Sequence, residues 1–72
     1  MKKYYVLAAR ENARSPYYAE FGAYEKSDVQ FERDCMRTHK ALCNMKILEL
    51  PCAGNATLEI HMRKLNAEAT EL

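Results

Sequence analysis

The chain reads as a small α+β domain: a two-layer sandwich of order ββαβα, a three-stranded sheet with two helices on one face. Three observations predict it. The segment Lys3 to Arg10 holds Tyr4-Tyr5-Val6-Leu7, good β-formers that are apolar on both alternating faces, as a central strand requires. Ser27-Asp28-Val29-Gln30 matches a capping box, in which a serine accepts from the amide three residues on and a glutamine reaches back. Beyond Pro51, Leu58, Met62, Leu65, Ala69 and Leu72 recur at helical spacing and give a second helix one apolar stripe.

The elements follow in order. After the first strand, Glu11 to Pro16 is polar and ends in proline, so it is a turn. Tyr17 to Phe21 returns as a second, antiparallel strand, and Gly22 permits a bend or bulge before the helix. Helix one is expected from Asp28 to about Leu42, with Asp28 favourably set in the first turn. Val29, Phe31, Cys35, Met36, Leu42 and Cys43 are assigned to its apolar arc; Gln30, Arg33, Asp34, Arg37 and Ala41 lie opposite. Met45 to Leu50 is the third strand, ended by Pro51. Cys52-Ala53-Gly54-Asn55 is a turn in which Asn55 caps helix two, and Ile60 falls on that helix's outer face. With both helices on one side, the other sheet face is bare. Tyr4 or Tyr5 and one of Tyr17 and Tyr18 then form an exposed aromatic surface, which marks an interaction site.

Composition narrows the function. Residues 1–72 form one domain, near the lower size limit for a self-sufficient core, which supplies about 3–5 kcal/mol of net stability. Eleven basic and ten acidic side chains give a net charge of +1, too balanced to steer toward phosphate backbones or anionic membranes. No apolar run approaches the roughly 20 residues that span a bilayer. The opening Met1-Lys2-Lys3 and its apolar continuation mimic a signal peptide, but Arg10, Glu11 and Arg14 interrupt it. Three cysteines are an odd number and argue for reduced thiols. A cytoplasmic protein that oligomerises or takes a partner is expected.

Several constellations could carry chemistry. Cys35, His39 and Cys43, spaced four apart on helix one, could offer two ligands to zinc, with Cys52 or His61 completing the shell. The outer two lie about 12 Å apart along a helix axis, and no Cys-x-x-Cys pair supports them. Packing as small hydrophobes explains Cys35 and Cys43 more cheaply, and no cofactor is expected. Glu32 and His39 fall within the apolar arc, but two turns apart. Glu32 is read as an anchor to the hairpin, through Arg10 or a tyrosine hydroxyl, rather than as half of an acid/base pair. Cys52 before a helix start, with His61, suggests a thiol nucleophile, yet no oxyanion donors or third orienting residue accompany them. Arg33, Arg37 and Lys40 line helix one and could touch phosphates, and tyrosines on a sheet could stack bases. Asp34 and Glu25 dilute that field, and the glycine-aromatic strand motifs of RNA-recognition sheets are absent. Two glycines are too few for a phosphate loop.

Glu20-Phe21-Gly22-Ala23-Tyr24, then Val29, Glu32-Arg33-Asp34 and Met45-Lys46-Ile47-Leu48, resembles a group of small phage- and prophage-encoded proteins of uncharacterised function. In that pattern an aromatic leads to Phe-Gly-x-Tyr, a Val-x-x-Glu-Arg-Asp helix, a Lys-Ile strand and a short C-terminal helix. The similarity spans residues 4 to 66. Where the pattern often carries tryptophan, this chain has Tyr17 or Tyr18. The resemblance implies a phage-type accessory role and contributes no catalytic residues.

The expectation is therefore a non-enzymatic accessory protein that binds a host or phage macromolecule, most readily a protein. Homodimerisation is compatible with it. Tyr5, Tyr17, Tyr18, Phe21 and Tyr24 are its contact or core aromatics, with Arg33 and Arg37 peripheral. A single-strand nucleic-acid binder is the first alternative, and a zinc- or thiol-dependent protein the second.

Overall fold

The computed structural model describes residues 3–39 and 41–70. Three strands, β1 (Tyr4–Ala9), β2 (Tyr18–Ala23) and β3 (Met45–Leu50), form one sheet in the order β2-β1-β3. Both neighbours run antiparallel to β1. Helix α1 (Lys26–Met36) links β2 to β3, a single 3-10 turn (Leu42–Asn44) leads into β3, and helix α2 (Asn55–Thr70) follows it. The order ββαβα, the three-stranded sheet and the small α+β class are those the sequence predicts. So is the central strand: Val6 is 2% exposed, and Leu7, Ala8 and Ala9 are fully buried.

The helices do not share a face. Leu7, Ala9 and Met45 pack with Val29 of α1, joined by Tyr5, Ala23, Met36 and Ile47. Ala8 packs instead with Tyr17 and with Leu65 of α2, joined by Leu48 and Met62. Odd-numbered β1 residues thus face α1 and even-numbered ones face α2, as strand alternation demands. This corrects the expectation of both helices on one face, and its cause is β1 itself. A strand apolar on both sides exposes Val6 and Ala8 to water unless each side is covered, at roughly 25 cal/mol per Å². The chain changes sides in the turn after Pro51, where Gly54 has φ 154°, a conformation that side chains disfavour. The Leu58 amide then donates to the Gly54 carbonyl at 3.0 Å and closes the first turn of α2.

Other boundaries differ too. β2 begins at Tyr18 and continues through Gly22, which is paired with Val6 rather than breaking the strand. The bulge lies earlier: Leu7 opposes Phe21 and Ala8 opposes Ala19, so Glu20 is the extra residue. α1 starts at Lys26 with Glu25 in the cap position, extended and without a side-chain cap bond. The capping box is not formed, because the Asp28 amide already donates to the Glu25 carbonyl and Ser27 lies inside the helix. α1 stops at Met36, short of Leu42. Its inward positions are Val29, Arg33 and Met36, stepping by four and three; Arg33 is partly buried, with Nε enclosed. Phe31, two residues from Val29, points away and is 69% exposed. In α2 the expected stripe holds at Leu58, Met62 and Leu65, and Ile60 is outward. Lys40, Leu72 and the side chains of Leu42 and Ala69 lie outside the described residues.

Candidate interaction surface

α2 packs on β3 and on the near part of β1, so the sheet face it occupies is only partly covered. Between α2 and the β2 edge lies an open groove of about 200 Å³, lined by Tyr4, Val6, Ala19, Glu20, Phe21, Gly22 and Leu58. Gly22 creates its floor. A Cβ there would fall 2.8 Å from Cζ of Tyr4, so only glycine lets that ring lie across β2. Tyr24 meets the Tyr4 ring edge-on, with centroids 5.0 Å apart, a favoured aromatic geometry. Tyr24, Phe21 and Tyr18 are 53%, 37% and 36% exposed, but only Phe21 and Tyr24 border the groove or its Tyr4 ring; Tyr18 lies opposite Ala9, on the α1 face.

The remaining tyrosines are structural. Tyr17 is 5% exposed and is the latch of the fold. Its amide donates to Asn66 Oδ1 at 2.7 Å and its carbonyl accepts from Asn66 Nδ2, so the α2 side chain imitates a strand partner. Its hydroxyl donates to the Cys43 carbonyl, and the Arg10 guanidinium stacks 4.6 Å above its ring. Arg10 also donates to Asn44 Oδ1 and to the carbonyls of Ala13 and Cys43. Arg10, one of the two partners considered for Glu32, instead forms a clamp between the β1–β2 loop and the approach to β3. Tyr5 is half-buried against the α1-side core and donates to Glu49, which Lys3 also pairs at 3.5 Å.

The other constellations come apart. Cys35 is exposed on α1, His39 is exposed in the turn beyond it, and Cys43 is exposed in the 3-10 turn. With α1 ending at Met36, the helical spacing invoked for zinc does not persist, and the cysteines do not pack as core residues either. Among the described residues no three His, Cys, Asp or Glu side chains are grouped to hold a metal ion. Glu32 is half-buried on α1, whereas His39 has left the helix. Cys52 and His61 both meet Thr57: the thiol at 3.5 Å from its hydroxyl, the imidazole Nδ1 donating to its carbonyl at 2.9 Å. That bond commits Nδ1 to the helix backbone. Arg33 and Arg37 share the Asp34 carboxylate, at 3.5 and 4.0 Å.

Sequence reasoning named exposed Tyr18, Phe21 and Tyr24 together with buried Tyr17 and half-buried Tyr5, and missed the groove. Tyr4, Gly22 and Leu58 enter only when β1, β2 and α2 are assembled. The one available signal was a glycine inside an aromatic strand, a usual sign of close approach by another group. Comparison of the chain with family models, with curated proteins and with solved structures returns no match. Among the described residues no helix is long and apolar enough to cross a membrane.

Proposed function

We propose that this protein is a non-enzymatic interaction module, a phage-type accessory protein that works in the cytoplasm by binding another protein through the groove beside β2. The observation that carries the reading is the largely apolar groove, with Glu20 the one charged residue of its lining, walled by Leu58 and floored across Gly22. Its volume of about 200 Å³ is below the roughly 300–1,000 Å³ of pockets that enclose small ligands, and it is open. A shallow apolar trough fits an apolar side chain presented by a protein partner. Three free cysteines suit a reducing compartment. The resemblance to small phage proteins supports the accessory role.

Charge separates this reading from nucleic-acid binding. A single-strand binder needs stacking aromatics and cations along one surface. Here Arg33 of α1 and Arg37 just beyond it are paired with Asp34, on the side of the sheet opposite the groove. The test is native mass spectrometry of the untagged protein purified from the cell that encodes it, alongside Leu58→Glu and Tyr24→Ser. A stoichiometric protein partner lost from both folded variants is the expected result. A partner retained by both, or a nucleic-acid adduct in its place, overturns the proposal.

A further inference from the structure

We propose that β2 is also a self-association edge, and that two copies pair β2 against β2, antiparallel, about a dyad between Glu20 and Phe21. β2 is an outer strand, so the side of its backbone turned away from β1 faces no other strand among the described residues. Such an edge is a template for another strand unless it is blunted. β3, the opposite edge, is blunted: Lys46 and Glu49 are exposed along it and Pro51 closes it. β2 carries no proline and a single charge, Glu20, its one blunting device being the bulge at that residue, and four of its six residues are exposed.

The bulge permits a register that pairs the whole of β2. Opposite β1, Tyr18 and Ala23 lie against Ala9 and Tyr5, on the α1 face. Ala19 and Gly22 lie against Ala8 and Val6, on the α2 face. Residues of two directly paired strands must share a face and turn their backbone groups the same way. In an unbulged strand, positions 18 and 23, or 19 and 22, fall on opposite faces. The extra residue at Glu20 brings each pair onto one. Self-pairing then sets Tyr18 against Ala23 of the second copy, Ala19 against Gly22, and Glu20 against Phe21. A dyad through Glu20, which would oppose two carboxylates, mismatches the faces on either side. No like charges meet in the 18–23, 19–22, 20–21 register, which pairs all six residues of β2, as an isologous contact requires.

The pairing extends the sheet to six strands and brings the two grooves side by side across the seam, because both α2 helices then lie on the same side. Each copy contributes its own Leu58, Tyr4 and Gly22 to one trough. This second consequence rests on the interaction reading; the pairing does not.

The experiment is sedimentation of purified full-length protein over a concentration series from about 1 to 200 µM, with far-ultraviolet circular dichroism on every variant. The wild type is expected to be a monomer–dimer equilibrium. Phe21→Glu sets a carboxylate against Glu20 of the second copy and is expected to raise the dissociation constant at least tenfold. Phe21→Lys sets an opposite charge there and is expected to hold the dimer. Adding Glu20→Lys to Phe21→Glu is expected to restore it. Hydrogen exchange of the wild type supplies a readout free of variants: β2 amides, and not β3 amides, gain protection with concentration. A monomer throughout, equal weakening by both Phe21 substitutions, or protection at β3 overturns the pairing. A dimer whose Leu58→Glu variant still holds its protein partner overturns the groove reading alone.

Discussion

At the scale of single residues, Arg10 decides how the hairpin is held. It contributes a stack on Tyr17, a bond to Asn44 and bonds to two backbone carbonyls, from a half-buried position. A planar guanidinium can stack on a ring while holding its donors in a fixed fork; an ammonium has three donors on a flexible stem but neither a planar face nor a fork. Arg10→Lys keeps the charge and loses the fork. We expect it to cost about 1.5–3 kcal/mol, the range for hydrogen bonds to charged groups. Urea denaturation measures this, and a loss under about 0.5 kcal/mol would mean that the stack and fork contribute nothing beyond charge. Nothing in the local sequence around Arg10 identified this role. Its partners are drawn from the β1–β2 loop and from the approach to β3, some thirty residues away, and only the assembled sheet brings them together. The same holds for Tyr17. As a letter it equals Tyr18, yet the one is buried against α2 and the other lies on the α1 face, because neighbouring positions alternate.

At the scale of elements, legibility followed the strength of the local pattern. β3 was read to the residue, since Met45-Lys46-Ile47-Leu48-Glu49-Leu50 is bounded by a proline. β1 declared its central position by being apolar on both faces, and the α2 stripe at Leu58, Met62 and Leu65 is the one the spacing specifies. α1 departs from the pattern of its sequence at both ends and around its circumference. Capping-box letters describe a preference for starting there, but the chain leaves β2 already turning at Glu25, and Ser27 is swept into the first turn. The apolar arc failed because Phe31 and Cys35 were grouped with Val29, although at 100° per residue Phe31 projects nearly opposite it. Two substitutions test the observed start. Ser27→Ala should change stability by less than about 0.5 kcal/mol, since the serine caps nothing. Glu25→Asp retains the negative charge near the helix dipole and supplies a short cap, and should stabilise by about 0.5–1 kcal/mol. Thermal melts decide. A loss of about 1 kcal/mol on Ser27→Ala would mean that the capping box operates in solution.

At the scale of the molecule, a sheet of three strands divides its stabilising contacts between two faces, and the division is unequal. α1 packs against all three strands and holds the fully buried Val29; α2 packs on β3 and is fastened by Leu65, Met62 and the Asn66 amide. The faces share β1, whose alternate residues serve each in turn. A large-to-small change at the shared strand should therefore fail differently from one on α2. Leu7→Ala removes a fully buried side chain from the α1 face, at a cost of about 2–5 kcal/mol. Against a net stability of about 3–5 kcal/mol, that unfolds a large fraction of the molecules. Leu65→Ala removes comparable side-chain volume from the α2 face, but the strands keep α1 and their own ladder. The lowest-energy response is release of α2 while the β1 amides stay bonded on both sides. Native-state hydrogen exchange separates the two. In the wild type, protection should rank β1 above α1 and α1 above α2. Leu65→Ala should collapse protection in α2 while Val6 to Ala9 remain slow, and Leu7→Ala should collapse every element together. Equal loss across all elements in both variants would mean that the two faces form one cooperative unit, with α2 as firmly integrated as α1. The groove wall at Leu58 belongs to the element expected to open first, so partner binding should slow α2 exchange more than it slows α1.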